Sequence, residues 1–192
     1  MGELSQTTET ILRLSAFIGI FVVMALIELG APLVLAFNMS DVARARGIRF
    51  DLELLSRLLG APIIPTVAHK NEGIDELLEE VCRMAREGPK LSRPTIRYGR
   101  ELEPELREIE ALVTRHTDAV EGYDPRWVAL KLLEGDRDIR EKLDIPAAAA
   151  QAERSASHLE HVVGDSPEIL IADRRYGFIS GACQEAVRST VE

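Results

Sequence analysis

The chain has 192 residues, 46% of them hydrophobic and 29% charged, a composition typical of a globular protein of one or two small domains. A formal net charge of −9 at pH 7 argues against a nucleic-acid-binding protein, because neutralising phosphates requires clustered Lys and Arg. Cys82 and Cys183 lie far apart without a CxxC motif, so we expect two unpaired thiols in a reducing cytosol.

Residues 14–27 form an apolar run without a charged side chain. The run is shorter than the roughly 20 residues that a membrane-spanning helix needs. A signal peptide is disfavoured, because only Arg13 is basic and no A-x-A site follows. Gly30 and Pro32 end any helix here, so we predict a buried helix before the first strand. A membrane-touching segment is the alternative.

The apolar run 32–37 ends in the polar pattern N-M-S-D, residues 38–41. A short apolar run bounded by turn signals is typical of a strand that is buried on both faces of a parallel sheet. Ligands of open α/β sheets bind just outside the carboxyl ends of such strands. We therefore interpret Asn38 and Asp41 as residues that contact a ligand.

The N-x-x-D spacing suits recognition of guanine. An ionised carboxylate only accepts hydrogen bonds, so Asp41 can take two parallel bonds from N1–H and the exocyclic amino group of guanine. Adenine presents no such pair of donors. Asn38 carries a donor and an acceptor, so it can touch the purine and tie neighbouring loops together. The alternative is a strand-end Asn followed by an Asp that caps the next helix.

The sequence next predicts four elements. They are a short helix ended by Gly47, a helix capped by Asp51, a strand over 62–67 and a helix starting at Ile74. Strand–helix–strand order implies parallel pairing, which brings both strand ends to one side of the sheet. The loop Val67-Ala68-His69 should then lie beside Asn38 and Asp41, where its N–H groups could meet a base carbonyl oxygen. We interpret the His69 and Lys70 side chains as solvated loop residues rather than catalysts.

Beyond a Pro- and Gly-containing linker at 89–94, only helices are predicted and no strand is expected after residue 95. Asp124-Pro125 predicts the start of one helix, and Pro146 and Ser166-Pro167 the starts of two more. We interpret Trp127 as a core anchor. His158 and His161 stand one turn apart without a clear third ligand, so no metal site is predicted.

Taken together, these residues resemble the cytosolic part of the ferrous iron transport protein B family from about residue 22 to residue 187. The guanine motif of this family is N-M-x-D rather than N-K-x-D, as at residues 38–41. The other segments that carry the resemblance are 46–49, 58–62, 64–68, 72–77, 125–127, 131–136 and 172–179.

The resemblance implies an α/β region followed by an all-α region, namely part of a parallel-sheet, P-loop-type G domain and a C-terminal helical-bundle spacer domain. The implied domains are a divergent segment at 1–21, the C-terminal half of a G domain at 22–88, the linker, and a dissociation-inhibitor-like spacer at 95–192. The resemblance implies guanine binding by Asn38, Met39, Asp41, Val67, Ala68 and His69.

The resemblance implies GTP or GDP as the ligand and a cytoplasmic location, with the inner face of the cell membrane as a further possibility. The implied partners are a transporter membrane domain or another transporter chain, with a homo-oligomer as an option and nucleic acid excluded.

The sequence departs from the family pattern at the phosphates. It contains no Gly-Lys pair, hence no P-loop, and no D-x-x-G motif for the metal and γ-phosphate. We therefore expect a weak or incomplete nucleotide site, Mg²⁺ only where another chain completes it, and no GTP hydrolysis by this chain alone. The alternatives are a non-catalytic helical interaction module and the remnant of a disrupted transporter gene.

Overall fold

A computed structural model of the protein describes residues 22–88, 96–116, 120 and 122–189. The segment predicted over 1–21 and the linker predicted over 89–94 lie outside the described residues. The chain divides into two compact units, one made of residues 1–94 and 182–192 and the other of residues 95–181. The predicted fold class, α/β followed by all-α, is confirmed.

The strands are Leu35–Phe37 (β1), Ile48–Phe50 (β2), Ile63–Pro65 (β3) and Val187–Ser189 (β4). The helices are 22–29 (α1), Ser40–Ala45 (α2), Leu52–Leu59 (α3), Ile74–Glu87 (α4), Leu102–Val113 (α5), Pro125–Leu133 (α6), Arg137–Leu143 (α7), Pro146–Val163 (α8) and Pro167–Ala186 (α9), with a 3-10 turn at Ala68–Lys70.

β1 and β3 pair in parallel, as the strand–helix–strand order predicts, with Phe37 opposite Pro65. The ladder continues past β3, because the Thr66 N–H donates to the Phe37 carbonyl at 3.0 Å. The residues that follow both strands are thereby held at the same edge of the sheet. This edge is where the predicted ligand-contacting residues lie.

The expectation that the first strand is buried on both faces is wrong. Ala36 is exposed and its neighbours Leu35 and Phe37 are only half-buried. The physical reason is that β1 pairs only with β3 among the described residues, so the sheet has two strands and little cover. An apolar run indicates a strand, but the number of neighbours decides how deeply it is buried.

The expectation that no strand follows residue 95 is also wrong. β4 pairs antiparallel with β2, a strand that the sequence did not predict either, and Phe50 lies opposite Val187. The Asp51 N–H extends this ladder by donating to the Ala186 carbonyl at 2.8 Å. Residues from Ala182 onward therefore group with the first unit, whereas the predicted spacer domain ran to the end of the chain.

Two predicted helix caps are confirmed. The Asp51 carboxylate accepts the Leu54 N–H at 2.9 Å, and the Asp124 carboxylate accepts the Arg126 N–H at 2.9 Å. α7 was not predicted, although the Asp136 carboxylate caps it by accepting the Ile139 N–H at 3.1 Å. A seven-residue helix with five charged side chains carries too short an apolar pattern to be recognised.

In the second unit, α5, α6 and α8 pack on one another. Trp127, predicted as a core anchor, is half-buried and stacks on Tyr123 with 5.3 Å between the ring centroids. The fully buried side chains at the centre of this unit are Leu106, Ile109, Val113, Val128, Ala129, Ala148 and Ile171. No helix formed by the described residues combines the length and hydropathy that crossing a bilayer requires.

Candidate functional site

Asn38 joins the two loops that follow β1 and β3. Its Oδ1 accepts the Ala68 N–H at 3.1 Å and the Thr66 hydroxyl at 3.5 Å. The backbone hydrogen bonds of the sheet end near the ends of the strands. The Ala68 N–H therefore takes an amide side chain as its acceptor. The spatial prediction is thereby confirmed: the loop after β3 lies beside Asn38.

Thr66 organises the same corner, although sequence reasoning placed it only inside the strand. It is 2% exposed, and its carbonyl accepts both the N–H and the hydroxyl of Ser40, at 3.3 and 3.2 Å. Its position directly after β3 matches that of Asn38 after β1, which was the available signal. Thr66 and Ser40 thus fix where α2 begins relative to the second loop.

Met39 adopts a left-handed backbone conformation, with φ 60° and ψ 30°. This costs a non-glycine residue about 1–2 kcal/mol. The carbonyl of Met39 in return accepts the Val42 N–H at 3.0 Å and starts α2. The Met39 side chain is 59% exposed beside Asn38, which leaves its flexible thioether free to cover a planar ligand.

Asp41 lies in the first turn of α2, and both of its oxygens are engaged. Oδ1 accepts the Val42 N–H at 2.9 Å, and Oδ2 accepts the Lys70 ammonium at 2.8 Å. The hydrogen bond from Lys70 holds the pKa of Asp41 below its ordinary value, and the Val42 N–H acts in the same direction against a desolvation effect. The same bond raises the pKa of Lys70. Asp41 is therefore an anion.

Lys70 was interpreted as a solvated loop residue, and half of its side chain is indeed exposed, but its ammonium bridges the second loop to α2. The two partners are far apart in sequence, so no local pattern indicated the pair. Only the parallel pairing of β1 with β3 brings them together.

The three predicted residues of the second loop are placed differently. The side chain of Val67 is buried, at 1% exposure, whereas Ala68 and His69 are exposed. The N–H of Ala68 is occupied by Asn38, but the His69 N–H forms no hydrogen bond within the described residues. The His69 N–H is therefore a backbone donor that this loop leaves open to a ligand.

Gly73 explains how closely this loop returns to β3. Its φ is +76°, and a Cβ added there would lie 2.2 Å from the Pro65 carbonyl oxygen. Only glycine fits this approach. The return is secured by paired backbone bonds between Val67 and Glu72, at 3.0 and 3.4 Å.

A cavity of about 580 Å³ lies in the same unit, and Val67 is the only predicted site residue in its wall. Asn38, Met39, Asp41, Ala68 and His69 do not line this cavity, although Ser40, which lies between Met39 and Asp41, does. The lining residues include Phe37, Ser40, Arg44, Ile48, Phe50, Pro65 and Glu72.

Two sequence profiles match the chain. The profile "Ferrous iron transport protein B" matches residues 18–81, and "FeoB cytosolic helical domain" matches residues 98–188. The chain belongs to the ferrous iron transport protein B family. Its two halves correspond to the G domain and the cytosolic helical domain of that family.

Curated relatives agree with this assignment. The chain is 33% identical over 180 residues to the Fe(2+) transport protein A/Fe(2+) transporter FeoB fusion protein of Porphyromonas gingivalis, which covers 89% of the chain and 21% of the relative. It is 32% identical over 165 residues to the Fe(2+) transporter FeoB of Salmonella typhimurium, covering 85% and 20% respectively. The chain thus spans about a fifth of the length of these relatives.

Solved structures share the fold. A GDP-bound mutant of the S. thermophilus FeoB G-domain matches with a TM-score of 0.76 and 26% identity over 85% of this chain and 62% of the other. NFeoB from S. thermophilus bound to GDP·AlF4− and K+ matches with a TM-score of 0.70 and 26% identity, over 83% and 61%.

Proposed function

We propose that this chain is a guanine-reading part of the cytosolic regulatory region of a ferrous iron transporter. In this proposal Asp41 selects the base through N1–H and the amino group, and Asn38 contacts the ring. Met39 covers the face of the base, and the loop of Val67, Ala68 and His69 closes over its carbonyl edge. The observation that carries the proposal is the bond between Asn38 Oδ1 and the Ala68 N–H, which holds both loops beside the Asp41 carboxylate.

The expected affinity is low. Two charge-assisted hydrogen bonds contribute about 1.5–3 kcal/mol each. Association costs at least about 4 kcal/mol before ordering of side chains. At most about 2 kcal/mol remains, which corresponds to a Kd of roughly 30 mM. Since the chain has no phosphate-binding motif, we propose that it does not hydrolyse GTP by itself and needs another chain to complete a Mg²⁺ and phosphate site.

The relay of nucleotide occupancy towards a membrane pore is supported by a short path within the first unit. α2 carries Asp41 and leads directly into β2. β2 pairs with β4, which follows α9, and Asp51 adds a bond to Ala186. A base that moves α2 would therefore act on the C-terminal segment. We place this region in the cytoplasm, at the inner face of the membrane that holds the transporter pore.

The test of base reading is Asp41→Asn. Asparagine can donate to the oxygen that replaces the amino group in xanthine, so we expect the preference to move from GDP to xanthosine diphosphate by about tenfold. NMR chemical-shift titration with GDP, xanthosine diphosphate and ADP measures the preference. The matched control is Asp138→Asn, which makes the same change on an exposed residue of the other unit. Equal binding of GDP and ADP to the unchanged protein would refute base reading.

A further inference from the structure

Lys70 faces the carboxylate of Asp41, which selects the base in the proposed function. Lys70 belongs to the same loop that would contact the base. Lys70 Nζ lies 2.8 Å from Asp41 Oδ2, and the side chain spans from the 3-10 turn to α2. A base held by both Asp41 and the loop must enter between these two elements. The bridge therefore crosses the space that the base would occupy.

The chemistry of the two ligands makes them competitors. An ammonium group has three donors and no acceptor, and the guanine edge that Asp41 would read is also made of donors. The ammonium and the base are therefore alternative donors to the same carboxylate. Glu72 lies in the same loop and also attracts Lys70, so an acidic partner is available when Lys70 leaves Asp41.

We propose that Lys70 is an internal competitor of guanine: its ammonium occupies Asp41 in the empty site and must be displaced before the base binds. This inference rests on the proposed guanine-reading function and adds the residue that sets its affinity. The bridge is partly exposed, with 47% of the Lys70 side chain and 24% of the Asp41 side chain accessible. It therefore lowers the affinity without abolishing it.

The competition has a calculable size. An exposed ion pair is only weakly stable, so Lys70 occupies Asp41 for part of the time. The apparent Kd for guanosine equals the intrinsic Kd divided by the fraction of protein in which Asp41 is free. Lys70→Met should therefore tighten guanosine binding by roughly two- to sixfold at low salt. Lys70→Arg should weaken binding, because arginine can grip the carboxylate with two parallel bonds. The expected order of affinity is Lys70→Met, then the unchanged protein, then Lys70→Arg.

Salt distinguishes competition from a general charge effect. Guanosine is uncharged, so its affinity for Lys70→Met should not change between about 0.02 and 0.5 M NaCl, whereas salt that screens the ion pair should raise the affinity of the unchanged protein. The matched control is Arg57→Met. It removes one positive charge and a 2.9 Å ion pair with Glu53 from the same unit, and should leave guanosine binding unchanged.

The experiment is an NMR chemical-shift titration of the full chain and these three variants with guanosine and with adenosine. Tighter guanosine binding by Lys70→Met, with convergence at high salt, supports the competitor. Unchanged or weaker binding by Lys70→Met, while guanosine is still preferred over adenosine, overturns it and leaves base reading intact. If neither the unchanged protein nor Lys70→Met distinguishes guanosine from adenosine, base reading and the competitor fail together.

Discussion

Asp41 is held as an anion before any ligand arrives. The Lys70 ammonium and the Val42 N–H both favour the charged form and keep the pKa of the carboxyl low. Guanine recognition needs this charge state, because a protonated carboxyl would present its own donor to the donors of the base. Lys70 thus has two opposing effects: it keeps Asp41 ionised, and it occupies the ionised group.

A pH titration without ligand measures the first of these effects, the influence of Lys70 on the charge of Asp41, separately from guanine binding. The pKa of Asp41 is depressed in the folded protein, so its favourable contribution is complete above the unfolded value of about 3.9 and is lost as the pH falls through the lower, folded pKa. Lys70→Met removes the main cause, so we expect the Asp41 pKa to rise towards its ordinary value. A 13C NMR titration of the Asp41 carboxyl measures this. An identical titration midpoint in the two proteins would contradict it, and Arg57→Met should match the unchanged protein.

For individual residues, the sequence predicted correctly those contacts that depend on local chemistry. Asn38 was expected to tie neighbouring loops, because an amide offers a donor and an acceptor at a strand end, and it does so through Ala68. The bridge from Lys70 to Asp41 and the left-handed backbone of Met39 were out of reach. Both depend on where the chain returns after β3, which no local pattern specifies.

Among the elements, the 3-10 turn and α4 can approach β3 closely because Gly73 has no side chain. We expect Gly73→Ala to destabilise the protein by about 2–4 kcal/mol, because the new Cβ would meet a backbone carbonyl at 2.2 Å in addition to the cost of a positive φ. Denaturant unfolding followed by circular dichroism measures the loss. The displaced loop should also lose its bond to Asn38, visible as a shift of the Ala68 amide signal.

Gly135→Ala is the matched control for this substitution. Gly135 has nearly the same φ, +77°, but nothing lies within 4 Å of an added Cβ. Its replacement should therefore cost only the backbone term, about 1 kcal/mol. Equal losses at Gly73 and Gly135 would show that the contact with Pro65 is relieved at no cost, contrary to this account.

The elements divide into those that carry a pattern and those that do not. β1, β3 and the longer helices were predictable, because apolar runs and helical spacing extend over enough residues to be recognised. β2 has three residues, enclosed by Gly47 and Asp51, and its partner β4 lies at the far end of the chain. Such a pair is formed by tertiary proximity. For the same reason the shallow burial of β1 could not be read from its apolar sequence.

For the whole molecule, the net negative charge and the absence of a P-loop motif both disfavour the binding of phosphate groups. The chain carries a formal charge of −9 and its sequence contains no P-loop motif, so we expect added phosphates to be repelled. In the proposed function, this chain offers matched groups to the base of a nucleotide. The proposal thereby differs from a complete nucleotide site, in which phosphate contacts supply much of the binding.

The consequence is a reversed order of affinities. We expect guanosine to bind at least as tightly as GMP, GDP and GTP at low salt, because each phosphate adds repulsion from a negatively charged protein and gains no contact. Raising the salt should bring the four affinities together as this repulsion is screened. NMR titrations with the four ligands, with and without Mg²⁺, measure the series.

An affinity that rises steeply from guanosine to GDP would reveal a phosphate site in this chain. Mg²⁺-dependent phosphate release from GTP would show hydrolysis. Either result would contradict a site that reads the base alone.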